Sequence, residues 1–462
     1  MKTLSVKLPV RTHFFALLLL ISLGLSSCFR GATETQIASF DASTWIPATF
    51  TVSPDKEHVA FVVQSDSQQY VSVDGKPGTP FTSIVKGSLL FSPDAKRFAY
   101  VAGREKQFVV VVDGNEGKPY EAIAEGSLLF SPNGERVAYV VRHNEKSFVV
   151  INGVEQEHYD TVINGTLTFS PDSKTVAYAA SQNGECFVFS GETPAKMYDA
   201  IAYGTVLFSP DGQHLAYAAQ SGHQWVVVLD GKEGQLFDDI ADGSLQFSSN
   251  GARLCYVAFS GGKWRVVDNG QEQKPYDEII DGTLRFSPDG SRLAYAALQR
   301  NQRFVVVDGL EGRSYDAILD GTLFWGNNGS VPVYGVRRGD NRFVVTGVQE
   351  GARFSGIGAV VADPNSPRVA YAARVGNQWS IVDNGVAGVL YHGIGNGSPV
   401  LSRDGQSIAF VVRKKKSHLV VLNGKESRLY DGIVDGTLSF TEEGRVRFLA
   451  IRKNKIVRVE IP

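Results

Sequence analysis

A phrase of twelve residues, FSPDGSRLAYAA at 286–297, returns in nearly the same words at 91–102 (FSPDAKRFAYVA), 169–180 (FSPDSKTVAYAA) and 208–219 (FSPDGQHLAYAA). Its first position, aromatic in most copies, falls at 52, 91, 130, 169, 208, 247, 286 and 325, a constant step of 39 residues. The series resumes at 362, 401 and 440, so one step is two residues short. Eleven copies fill most of the 462-residue chain. Self-similarity at this period means a solenoid or a ring of small units, not the two or three domains that length alone suggests.

The model unit is 281–318. TLRF reads as a first strand and SPDG as a turn, in which Pro288 presets φ and Asp289 bonds its own backbone. RLAYAA and the β-branched RFVVVD are the second and third strands. Asp308-Gly309 has hairpin chemistry and leads into RSYDAI as a fourth strand. Four short strands in about 40 residues predict an all-β propeller of four-stranded blades. The last copy stops before a fourth strand, and ASFDAST (38–44) matches what is missing. One ring closed by N- and C-terminal strands is therefore expected over 46–462. Two smaller propellers in tandem are the alternative, with a seam at the degraded copy 324–336 and the shortened step after it.

The pattern FSPDG, LAYAA, FVVVDG is similar to the WD-repeat-like blade of TolB-type propellers, also found in the non-catalytic domain of prolyl oligopeptidase-like peptidases. That resemblance implies a propeller and, by analogy, work in cell-envelope assembly or maintenance. It supplies no chemistry, since propellers host many unrelated roles.

Lys2, Lys7 and Arg11 precede the apolar run FFALLLLISLGL (14–25), which predicts a signal peptide over 1–27. The following LSSC resembles a bacterial lipobox, which implies acyl chains on Cys28 and a lipidated tether and closing strand over 28–45. Phe29, not Asp, follows the cysteine; by the same analogy the anchor sits in the outer membrane, facing the periplasm. Cys255 fills a slot that is Ala elsewhere (LCYVA against LAYAA) and reads as a small buried hydrophobe.

The recurring Asp of the turn (Asp55, Asp94, Asp172, Asp211, Asp289, Asp404) is replaced by Asn133, Asn250 and Asn328, so it reads as turn geometry. The Tyr-Asp pairs, such as Tyr276-Asp277, read as hydrogen bonding and packing between blades. Recognition is expected where copies differ. The second-to-third loops become cationic toward the C-terminus, with Arg337, Arg338, Arg413, Lys414, Lys415, Lys416, Arg452 and Lys453 as a candidate docking face. Asp242, Asp281, Asp320 and Asp435, with the hydroxyls of Thr283 and Thr322, form a candidate channel mouth.

A net charge of −2 argues against nucleic acid as partner. The sequence contains no G-x-S-x-G, H-E-x-x-H, P-loop or dinucleotide motif. No enzyme activity, cofactor or metal is expected. The expected function is a membrane-tethered envelope lipoprotein whose propeller is a non-catalytic scaffold for envelope proteins. A glycan- or small-ligand-binding, or glycan-processing, site at the channel mouth is the alternative.

Overall fold

The computed structural model describes residue 29 and residues 31–191, 196–326, 329–363 and 365–462. The expected signal peptide over 1–27, Cys28 and Asn328 lie outside them. Every regular element among the described residues is a strand, and the strands form eleven antiparallel sheets. We number these blades 1 to 11 in chain order; blade 1 has Val59–Ser65 as its second strand, and blade 11 has Val446–Arg452.

Eleven apolar clusters join the blades, each built from two neighbours. Blades 6 and 7, for example, share Cys255, Val257, Tyr276, Tyr295 and Phe304. The last cluster joins blade 11 to blade 1 through Leu449, Ile456, Val59 and Phe61. Arg447 and Arg458 of blade 11 also pair with Glu57 of blade 1. Every blade has two neighbours, so the chain forms one closed ring. The tandem arrangement is excluded.

Blade 7 shows how the repeat becomes structure. Leu293–Gln299 and Gln302–Val307 form its central hairpin. Leu310–Glu311 pairs outside the hairpin, and the outer strand continues to Tyr315, which bridges Arg303. The next residues, Ala317–Ile318, pair with Val336 and Arg337 of blade 8. The expected fourth strand RSYDAI is therefore divided. Its Tyr ends one blade, and its Ala-Ile begins the innermost strand of the next.

That innermost strand is interrupted by a bulge. In blade 7, Ile279 faces Ala297 and Phe286 faces Leu293, so seven steps on one strand match four on its partner. Three residues are extra. In blade 9, Ile357 faces Ala373 and Ala362 faces Val369, which leaves one extra residue. The short repeat step has lost two residues of this bulge, and blade 9 runs nearly straight.

Closure also differs from expectation. Thr33–Ser39 pairs with Lys455–Ile461 as the outer strand of blade 11, several residues before the expected 38–44. Residues 40–44 instead turn around Asp41, whose carboxylate accepts from the Ser43 N–H at 2.9 Å.

Nine of the eleven seams carry an edge-to-face aromatic contact, worth about 0.5–1.5 kcal/mol beyond the area it buries. Tyr120, at the end of blade 2, meets Tyr139 of blade 3 with ring centroids 6.4 Å apart, and Tyr276 meets Tyr295 at 6.3 Å. Tyr120 is fully buried and its hydroxyl donates to Glu155 at 3.0 Å. Truncation by Tyr120→Ala should therefore cost about 3–5 kcal/mol. Tyr120→Phe, which loses only the hydrogen bond, should cost about 1–2 kcal/mol. Equal losses of chemical stability in the two variants would contradict a packing role for the ring.

Candidate functional site

The repeated turn settles the role of its Asp. In blade 7 the Asp289 carboxylate accepts from the Ser287 hydroxyl at 2.5 Å and from the Ser291 N–H at 3.1 Å. Asn250 uses its Oδ1 in the same way, from Ser248 at 2.7 Å and from the Ala252 N–H at 3.2 Å. An amide replaces the acid because only the acceptor matters. Gly290 adopts φ +74°, and the Asn250 side chain lies against the place where a Cβ would project.

The Asp of the Tyr-Asp pair also has a structural task. Asp277 Oδ2 accepts from the Arg300 N–H at 2.6 Å, and Asp316 Oδ2 from the Gly339 N–H at 2.7 Å. Each carboxylate thus caps the second-to-third turn of the blade it enters. Lys146 of blade 3 reaches Asp160 at 2.7 Å across the seam.

The hydroxyls expected at the channel mouth are engaged with backbone. Thr283 Oγ1 donates to the Ile280 carbonyl at 2.6 Å and accepts from the Ala296 N–H at 3.0 Å. Thr322 does the same with Leu319 and Gly335, at 2.6 and 2.9 Å. They supply the hydrogen bonds that the bulge takes from the ladder. Asp242, Asp281, Asp320 and Asp435 stand exposed on the bulges of blades 6, 7, 8 and 11. Asp435 accepts from Asn396 of blade 10 at 2.9 Å. Asp242 and Asp281 line a cleft of about 100 Å³ with Gln246 and Arg285. That volume is below the roughly 300 Å³ at which small-molecule sites begin.

The cationic face divides into bound and free charges. Arg338 holds Glu350 in a fork at 3.0 and 2.9 Å and lies 4.9 Å over the Tyr315 ring. Lys414 pairs with Glu426 at 3.0 Å, and Arg452 with Glu34 at 2.9 Å. These three brace the rim. Arg337, Arg413, Lys415, Lys416 and Lys453 are exposed, and among the described residues none of their side chains has an acid partner. All five lie in or beside second-to-third turns, so they share one face of blades 8, 10 and 11.

One structural device escaped the sequence reading. Arg97, Arg136, Arg253 and Arg292 each follow the repeat's first position by six residues and reach carbonyls in the turn of the next blade. Arg253 accordingly lies 4.9 Å over the Phe286 ring. The constant spacing was the available signal.

No protein-family model and no curated protein sequence matches this chain. Among solved structures, it is similar to a crystal structure of a eukaryotic initiation factor, at 13% identity over 80% of this chain and 97% of that one, with a TM-score of 0.38. It is similar to TolB from Acinetobacter baumannii at 15% identity over 55% of this chain and 75% of that one, with a TM-score of 0.27. A third likeness is the β-propeller domain of the Trilobed protease from Pyrococcus furiosus, at 13% identity over 59% and 97%, with a TM-score of 0.28. The fold assignment here rests on the eleven sheets and their seams.

The Ser287 hydroxyl, then the hydroxyl and N–H of Ser291, pull the Asp289 carboxyl down to about 2. A carboxyl lowered in the folded state stabilises above its unfolded value near 4, and the gain disappears as pH falls toward about 2. Asp289→Asn keeps the acceptor and removes the titration. The variant should match the parent near neutrality and gain on it in denaturation midpoint between about pH 4 and pH 2. A difference that does not change with pH would contradict this assignment.

Proposed function

We propose that the protein is a lipid-anchored cell-envelope scaffold, held through Cys28 and docking anionic envelope proteins on the second-to-third turn face. The free cations Arg337, Arg413, Lys415, Lys416 and Lys453, on one face of blades 8, 10 and 11, carry this reading. A mainly cationic arc on a rigid frame raises encounter rates and selects partners of opposite charge. The repeated carboxylates and tyrosines, which on other scaffolds would be candidates for acid–base chemistry, are spent on turns and seams. This supports a non-catalytic role. The TolB-type resemblance of the repeat and the lipobox-like LSSC before Phe29 support the remaining part of the proposal, an anchor in the outer membrane facing the periplasm.

Replacing Arg413, Lys415 and Lys416 together by Gln leaves the rim pairs intact. The account expects weaker capture of crosslinked envelope proteins and a shallower salt dependence, with unchanged thermal stability. Unchanged capture and salt dependence would remove the docking face from the account. Cys28→Ser should release the chain from the membrane fraction, and a variant that still partitions with membranes would defeat the anchor.

A further inference from the structure

Blade 9 departs from the repeat at its outer strand as well as at its bulge. In the other blades the outer segment carries Lys, Arg or Glu, as in NEGKPY (115–120) or LEGRSY (310–315). In blade 9 it reads VAGVLY (386–391), with no charge and no proline. Among the described residues those charges bridge five seams, as in Lys118 to Glu155 at 2.5 Å, Lys274 to Glu311 at 2.6 Å and Arg428 to Glu34 at 3.2 Å. At blade 9, Ala387 and Val389 occupy the two bridging positions, so the pair is missing on both sides. Blade 8 has Ala352 at the facing cation position, with Arg353 beside it over the Phe343 ring, and Glu426 of blade 10 pairs with Lys414 of its own blade.

The consequence is an unguarded sheet edge. Val386, Val389 and Leu390 are 72%, 68% and 43% exposed, and Val386–Ala387 is the last strand of its sheet. Natural edges are protected by charge or proline because bare ones recruit further strands. We infer that the outer edge of blade 9 receives an extended segment of a partner polypeptide, apolar at alternate residues and acidic at the end nearest Leu390. The acidic end follows from charge: exposed Arg353 holds in blade 8 the register position of Leu390, and exposed Arg374 is level with the Trp379–Tyr391 bridge, at the end of the edge toward the turn face. Main-chain pairing supplies affinity and the side chains supply selection. A second copy fits less well, because one six-residue edge falls far short of the roughly 1,200 Å² of a stable interface.

This inference deepens the scaffold reading and rests on it. Its test uses the full chain in detergent and the variant A387E/V389K, which gives blade 9 the seam charges of the other blades. A random dodecapeptide library is selected on the parent, and recovered peptides are measured by fluorescence anisotropy. The expected peptides alternate apolar residues with an acidic end, bind the variant at least about tenfold more weakly, and protect amides 386–391 from hydrogen exchange. V389K alone should give a smaller loss. Recovery of no such peptides, or equal affinity for the variant, overturns the inference. So does a parent dimer that the variant dissociates, which would assign the edge to a second copy. If the Gln variant at Arg413, Lys415 and Lys416 leaves envelope capture unchanged while the edge peptides behave as expected, the cationic-face reading fails alone. The reverse pattern removes only the edge.

Discussion

The whole ring depends on one junction, the step at which a chain leaves the outer strand of one blade and enters the innermost strand of the next. The Tyr at this step is buried against the second strand of the following blade, and the Asp beside it caps that blade's hairpin. One dipeptide thus fixes the packing and the direction of each new sheet. Because an aromatic recurs at this step in ten of the eleven seams, followed by Asp in six and by the capping Thr82 or Glu121 in two more, blade geometry is set locally and the ring follows by repetition. Blade 11 meets blade 1 without the Tyr: Ala38 lies opposite Ile456 in its place and packs with Leu449 against Val59 and Phe61 of blade 1.

Much of this was legible in the sequence. The 39-residue period and the turn chemistry of SPDG specified small β-units in a ring, and Asn250 in place of Asp marked the turn carboxylate as an acceptor. The blade boundary was not legible. YDAI has the alternation of one continuous strand, and nothing local says that its two halves pair with different sheets. The closing strand was misplaced for the same reason, since ASFDAST was matched to a motif that is itself a junction. The cationic face was legible as composition only. Whether Arg338 or Arg413 is free depends on an acid in the outer strand, and the present geometry shows Glu350 taking the first and nothing taking the second.

Blade 9 gathers the departures. It lacks two bulge residues, its junction has Ser355 in place of Asp, and its outer strand lacks the seam charges. Each loss alone is compatible with the sheet, which keeps its full central hairpin. Together they remove the electrostatic protection of one sector while cations accumulate in the turns on either side of it. A ring that uses its repeated residues for closure has only its irregular blades and variable loops for recognition.

The central claim is one closed ring of eleven blades. Cryo-electron microscopy of the detergent-solubilised chain, viewed down the ring axis, tests it most directly. The account predicts eleven spokes around one opening, with the terminal strands joined in a single blade. Two smaller rings, or one ring with a gap beside blade 1, would contradict it.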